Sequence, residues 1–268
     1  MYRVLTCLGT EHDLRLVALA GLICFLASTV AISLFDRARA ARGSSRQVWI
    51  LLDAAVSGCG IWATHFIAML AYDPGISAGY NIHVTLLSLL FAVVVTWVGL
   101  SIAVFDTRRA FAVIGGAVVG IGVAAMHYTG MMALEVPARV EWLMGTVTAS
   151  VLIGCALAAF AFVVATHYDG ARRVMIASVL LTLAIVSHHF TAMGALTLIP
   201  DPTLVAEGLT ISPGILSFLV ALSALVILGI ALGVSTMDRR AKSALGKQKA
   251  LLDTALENMS QGLCMYDA

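Results

Sequence analysis

The sequence predicts an all-α membrane protein: a polytopic bundle of seven transmembrane helices, N-terminus outside and C-terminus cytoplasmic, with three parallel helix-hairpin repeats. Three observations predict it. First, 60% of the 268 residues are hydrophobic and only 12% are charged, about half the charged share of roughly 25% usual in soluble domains. A soluble fold of this length has too little polar surface to cover so large an apolar share. Second, the apolar residues fall into seven long runs. Third, the basic residues alternate between connections.

A spanning helix needs about 20 mostly apolar residues, and segments 14–35, 48–72, 84–105, 110–134, 142–166, 174–198 and 215–237 meet that length. The first is not a signal peptide, because its apolar run from Leu16 to Phe35 is long and Arg37, Arg39, Arg42 and Arg46 follow it rather than precede it. The second, fourth and sixth each carry a His-x-x-x-Met pair, and the third, fifth and seventh return across the bilayer. Arg37 to Arg46, Arg108 with Arg109, Arg172 with Arg173, and the tail from Arg239 to Lys249 hold 13 of the 16 lysines and arginines. The positive-inside rule places these four segments in the cytoplasm and the other connections outside. The net charge of +1 carries no signal for nucleic acid, and the lipid bilayer is the partner the composition demands. Five cysteines (Cys7, Cys24, Cys59, Cys155 and Cys264) show no CxxC spacing, so no disulfide framework is expected.

Self-comparison gives the strongest signal. His65, His127 and His189 are spaced by 62 residues, as are Met69, Met131 and Met193, and Ala71, Ala133 and Ala195. Gly58 and Gly60 recur as Gly120 and Gly122, with Thr182 and Ala184 in the third copy. All three motif helices run in the same direction, so the copies are parallel repeats about an axis near the membrane normal. Small residues at the repeated glycine positions let helices approach closely in lipid.

Residues i and i+4 share a helix face, so each copy presents an imidazole and a thioether along one side, in the outer part of its helix. An aromatic residue follows each histidine: Phe66, Tyr128 and Phe190. Histidine is costly in hydrocarbon unless partnered and should face the bundle interior. Thioether is a soft ligand that selects Cu(I), while imidazole suits copper, zinc and iron. His65, Met69, His127, Met131, His189 and Met193 are therefore the candidate metal ligands. The alternative is that methionine packs and histidine bonds a neighbouring carbonyl. His12, His83 and Cys59 are weaker candidates: the two histidines lie at outer helix ends, and Cys59 lies about a turn and a half below His65. His188 points about 100° away from His189 and has no counterpart at the 62-residue offset. His167 reads as interfacial, and Asp53 reads as pairing with Arg46 or snorkelling.

The run Met126-His127-Tyr128-Thr129 resembles the motif of bacterial MHYT-domain sensors. The likeness covers roughly residues 12–237, including the repeated H-[YF]-x-[GA]-M pattern and His12-Asp13. Thr64 and His188 replace the leading methionine in copies one and three. The resemblance implies a sensory input domain in the bacterial inner membrane that binds copper through these His and Met residues. It also implies sensing of a diatomic gas (O2, CO or NO) or of redox state, on behalf of cytoplasmic PAS, diguanylate cyclase, phosphodiesterase or histidine kinase modules. Residues 1–237 form the sensor, 238–250 a signalling-helix linker with Leu245, Leu252 and Met259 at intervals of seven, and 251–268 resemble the opening of a PAS domain. A homodimer through that helix is the corresponding expectation.

Two further classes compete. A haem protein would use paired axial histidines, and a transporter-like bundle would keep its histidines as structural groups, although no proline-broken helix pair appears. No Ser-His-Asp set, phosphate loop or catalytic carboxylate pair emerges, so no enzyme is expected within this chain.

Overall fold

The computed structural model describes residues 9, 11–76, 78–168, 172–201, 203 and 210–264. Cys7 and residues 265–268 of the PAS-like segment lie outside them. Seven helices are long and apolar enough to cross a membrane: α1 Leu14–Ala40, α2 Gly43–Ala71, α3 Ile82–Phe105, α4 Arg109–Met132, α5 Met144–His167, α6 Arg173–Met193 and α7 Pro213–Cys264. Asp13 and Asn81 cap α1 and α3, each accepting from backbone N–H groups of the first turn, which satisfies donors that a helix start leaves open. Cys24, Cys59 and Cys155 are free thiols.

Residues 1–227 and 228–268 form two compact units. In the first, α1 packs along α2, α3 along α4 and α5 along α6, and α1 also meets α6, closing a ring. α2 is the most buried of the seven, with 83% of its span buried, whereas the span in α7 is 17% buried. Ser223 of α7 donates to the Cys59 carbonyl of α2 at 3.3 Å. The sequence repeat runs from each motif helix into the helix after it, yet the closest packing joins each motif helix to the helix before it. The first helix is thus an integral wall of the ring. The second unit is the distal part of α7, where Leu245 and Leu252 are exposed.

The repeated glycines explain the packing. A Cβ on Gly58 would lie 2.8 Å from Val93 Cα of α3, and one on Gly120 would lie 2.6 Å from Cys155 Cα of α5. Val93 and Cys155 are themselves 62 residues apart. Gly60 faces backward onto Ala27 of α1, and Gly122 faces backward onto Val95 and Thr96 of α3. Each glycine pair therefore holds one neighbour ahead and one behind, at approaches only small residues permit.

Several helix bounds depart from expectation at the histidine end of the bundle, the α6 end most. α4 stops at Met132 and α6 at Met193, and α3 and α5 begin at Ile82 and Met144. The connections there pair as short strands: β1 Gly79–Asn81, β2 Leu134–Glu135, β3 Ala138–Trp142, β4 Leu196–Pro200 and β5 Thr210–Ile211. β1 lies between β2 and β5, and β3 pairs with β4, all antiparallel. Tyr80 opposes Leu134, and Trp142 opposes Leu196; both members of the second pair lie 62 residues beyond those of the first. A bridge between His12 and Tyr72 stands where the first copy would have its own pair. Pairing satisfies backbone groups that a short buried turn would leave open. Arg139 Nε donates to Asp201 Oδ2 at 2.9 Å, tying the Ala138–Pro200 end of the β3–β4 pair.

Candidate metal centre

The motif helices α2, α4 and α6 bring His65, His127 and His189 to one point. Their Nδ1 atoms form a nearly equilateral triangle, 3.2 Å from His65 to His127, 3.2 Å from His65 to His189 and 3.3 Å from His127 to His189. All three residues are at least 96% buried. The rings meet edge to face, with centroids 4.9–5.2 Å apart.

This triangle cannot satisfy itself. A neutral imidazole nitrogen either donates or accepts. Among three atoms in mutual contact, at least two must be of the same kind. Two facing lone pairs repel, and two facing N–H groups clash, so at most two of the three contacts are hydrogen bonds. A buried polar group without a partner costs about 1–3 kcal/mol. One cation shared by three lone pairs removes the conflict. The point equidistant from the three nitrogens lies about 1.9 Å from each, taking the side length over √3, close to the roughly 2.0–2.1 Å of a zinc–imidazole bond. These residues could hold a metal ion, and the donor set fits one.

The ring positions are set by their surroundings. A Cβ on Gly130 would fall 2.5 Å from His65 Nε2, so the absence of a side chain on α4 makes room for the imidazole of α2. Each histidine packs edge-on against the aromatic residue that follows it: Phe66 at 4.7 Å, Tyr128 at 5.0 Å and Phe190 at 5.0 Å. Phe66 and Tyr128 in turn contact Tyr80 and Trp142, again partners 62 residues apart. The short strands thus press the aromatics that press the histidines. Burial pushes the Tyr80 phenol up to about 12, so at ordinary pH it is a neutral donor, reaching the Met69 carbonyl at 3.4 Å.

Met69, Met131 and Met193 are all buried, one turn further toward the strands, about 6 Å along each helix. His12 is buried and lies against Tyr72 and Phe190 at ring distances of 5.2 and 5.5 Å. That places it beside the His189 corner of the triad. His83 is exposed on the first turn of α3, and Cys59 is half-buried; neither joins the triad.

One histidine carries more than sequence reasoning assigned it. His188 is fully buried, and its ring meets that of His127 at 5.2 Å. Its Nδ1 lies 3.0 Å from the Ser150 carbonyl oxygen, which can only accept, so Nδ1 carries the proton and Nε2 is a lone pair. Gly154 of α5 leaves space for this ring, with a Cβ there meeting His188 at 3.2 Å. Ser150 also donates its hydroxyl to the Val147 carbonyl and lies 2.8 Å from the Tyr128 hydroxyl, so Tyr128 donates to it. The only sequence hint is that His188 is a second histidine in an apolar helix. Asp53 likewise departs from expectation. It is 1% exposed and accepts from Ser57 at 3.0 Å, while Arg46 donates to the Ala41 carbonyl instead.

The fold and this cluster define a multi-pass membrane domain with an imidazole centre among its repeated helices. The family model of the MHYT bacterial signalling protein N-terminal repeat matches residues 58–116 and 120–178, two copies offset by the same 62 residues. A Caulobacter vibrioides protein named only as an uncharacterized signaling protein is 37% identical over 260 residues, covering 97% of this chain and 32% of its own. The bifunctional diguanylate cyclase/cyclic di-GMP phosphodiesterase MucR of Pseudomonas aeruginosa is 32% identical over 95% of this chain and 37% of its own. The cyclic di-GMP phosphodiesterase NbdA of the same organism is 38% identical over 68% of this chain and 24% of its own. No solved structure matches. The chain belongs to the MHYT family of membrane signalling domains. It spans about a quarter to a third of the length of these relatives.

Proposed function

We propose that this chain is a sensory input domain that holds copper at the His65, His127 and His189 triad and responds to a diatomic gas or to redox state. The observation that carries the reading is the triangle of Nδ1 atoms, which no arrangement of protons satisfies. Three imidazoles suit copper, zinc or iron, and in our reading the buried thioethers of Met69, Met131 and Met193 enter as further ligands from the next turn, the soft donors that select Cu(I). A copper ion there would supply a coordination position for O2, CO or NO. The protein's part is to fix three nitrogens from three helices, to bury them among apolar side chains, and to orient them through Phe66, Tyr128 and Phe190. A change in the triangle's dimensions would move α2, α4 and α6 relative to one another, which is the packing change a sensor must pass on.

The haem alternative fares worse, because edge-to-face rings at 4.9–5.2 Å leave no slot for a macrocycle among the three histidines. In our reading the strand-capped end faces outward and the arginine-rich end faces the cytoplasm. Residues 1–237 are the sensor, 238–250 a linker helix that pairs in a homodimer, and 251–268 the opening of a PAS-like module. The names of MucR and NbdA make cyclic di-GMP turnover the output that suits such an input domain.

Carbon monoxide tests the gas reading. The full chain, loaded anaerobically with Cu(I) and exposed to CO, should give one C–O stretching band in the infrared. That band should vanish in a His65→Ala/His127→Ala/His189→Ala variant. Copper-loaded wild type without a band would rule out gas binding at this centre.

A further inference from the structure

The opposite end of the bundle holds a second polar site that the sensor reading does not use. A cavity of about 480 Å³ opens where α1 ends, α2 begins, α3 ends and α6 begins, lined by Asp36, Arg39, Arg46, Phe105, Asp106 and Arg173 among others. Three half-buried arginines from three helices meet there. The two carboxylates are already engaged. Asp36 is bound through both oxygens by Arg173, with the Nη1 contact at 2.9 Å, and Asp106 binds Arg108 at 3.2 Å. Arg173 also donates to the Ala165 carbonyl. Arg39 and Arg46 are in no ion pair among those described, and of the Arg46 nitrogens only Nε has a described bond, to the Ala41 carbonyl. Arg39 rests over the Phe35 ring, 5.9 Å from its centroid, and both guanidinium groups line the cavity without a bound carboxylate among the described residues.

We propose that this cavity binds the phosphate of an anionic glycerophospholipid, with Arg39 and Arg46 as its ligands and the Asp36–Arg173 pair as its fixed wall. Guanidinium forks match phosphate oxygens two at a time. The cavity sits at the level where four helices leave the apolar core, which is headgroup depth in a bilayer. Its rim supplies the argument for a lipid rather than free phosphate: Phe105 is 78% exposed beside the cavity, an apolar surface suited to an acyl chain. Basic pockets between helix ends take anionic headgroups in this way.

The test uses the full chain purified in neutral detergent, titrated with short-chain phosphatidylglycerol, with phosphatidylcholine of the same chain length and with inorganic phosphate. Binding is read by calorimetry. Phosphatidylglycerol should saturate one site, with phosphatidylcholine and phosphate much weaker. Arg39→Gln with Arg46→Gln removes the charge-assisted bonds to the phosphate and should weaken binding roughly 10-fold or more, while Arg172→Gln, an exposed neighbour outside the cavity, should leave it unchanged. Lipid selectivity is read on the wild type, so it stands even if the double variant fails to fold. Inorganic phosphate binding as tightly as phosphatidylglycerol would replace the lipid with a free anion. Equal binding of the two lipids, or of wild type and a folded double variant, would overturn the site.

Discussion

At the scale of single residues, the centre is a problem of donor counting. His65, His127 and His189 offer three nitrogens that cannot pair off, and Gly130 gives one of the rings its place. Gly130→Ala puts a methyl 2.5 Å from His65 Nε2. It should push that ring off the triangle and lower copper affinity while the fold persists, as a metal-competition titration would reveal. His188 supports His127 from behind, so His188→Ala should weaken metal binding less than loss of any triad member does. His188 touches the His127 ring edge-on at 5.2 Å without a hydrogen bond to it, and the same titration compares the two. Asp53 makes a different prediction. A buried carboxyl with one hydroxyl partner and no described cation costs stability rather than adding it. Asp53→Asn should leave the melting temperature equal or higher, and a fall of several degrees would show that the charge is compensated by something else. The triad was legible in the sequence because its members share one offset and one face. His188 was not, because its role depends on Ser150 and Gly154 of another helix, and nothing in the sequence links them.

At the scale of elements, glycines set the distances that bring the histidines together. Gly99 and Gly115 lie on α3 and α4, and a Cβ on either would fall 2.5–2.7 Å from the carbonyl oxygen of the other. Backbone cannot yield as a side chain can, so Gly115→Val should force the two helices apart at about 1–3 kcal/mol. Unfolding in mixed detergent micelles would measure it, and an unchanged midpoint would show that this crossing is soft. Gly58, Gly60, Gly120 and Gly122 could be picked out by repetition, and the structure puts each at a helix contact. Which neighbour each one faces could not be read, since the spacing is the same for the helix before and the helix after. The short strands were hidden for a similar reason. Stretches of two to five residues such as Leu134–Glu135 and Ala138–Trp142 are too brief to show a period, and they acquire partners only once the helices set their ends side by side.

At the scale of the whole molecule, six helices in three parallel copies surround a shared point, and the repeated contacts extend beyond the motif to Tyr80 and Trp142, Leu134 and Leu196, Val93 and Cys155. The seven spans were readable because the bilayer demands length and apolarity, and the structure keeps all seven. The packing order was not: hydropathy says that α1 crosses, but only the packing shows that it closes the ring against α6. The central claim is that the three copies converge on one copper ion, and metal content tests it most directly. The full chain, loaded with Cu(I) under anaerobic conditions and freed of excess, should retain one copper per chain, and the His65→Ala/His127→Ala/His189→Ala variant, folded and equally helical, should retain essentially none. Equal copper in the two would contradict the account and return these histidines to a packing role.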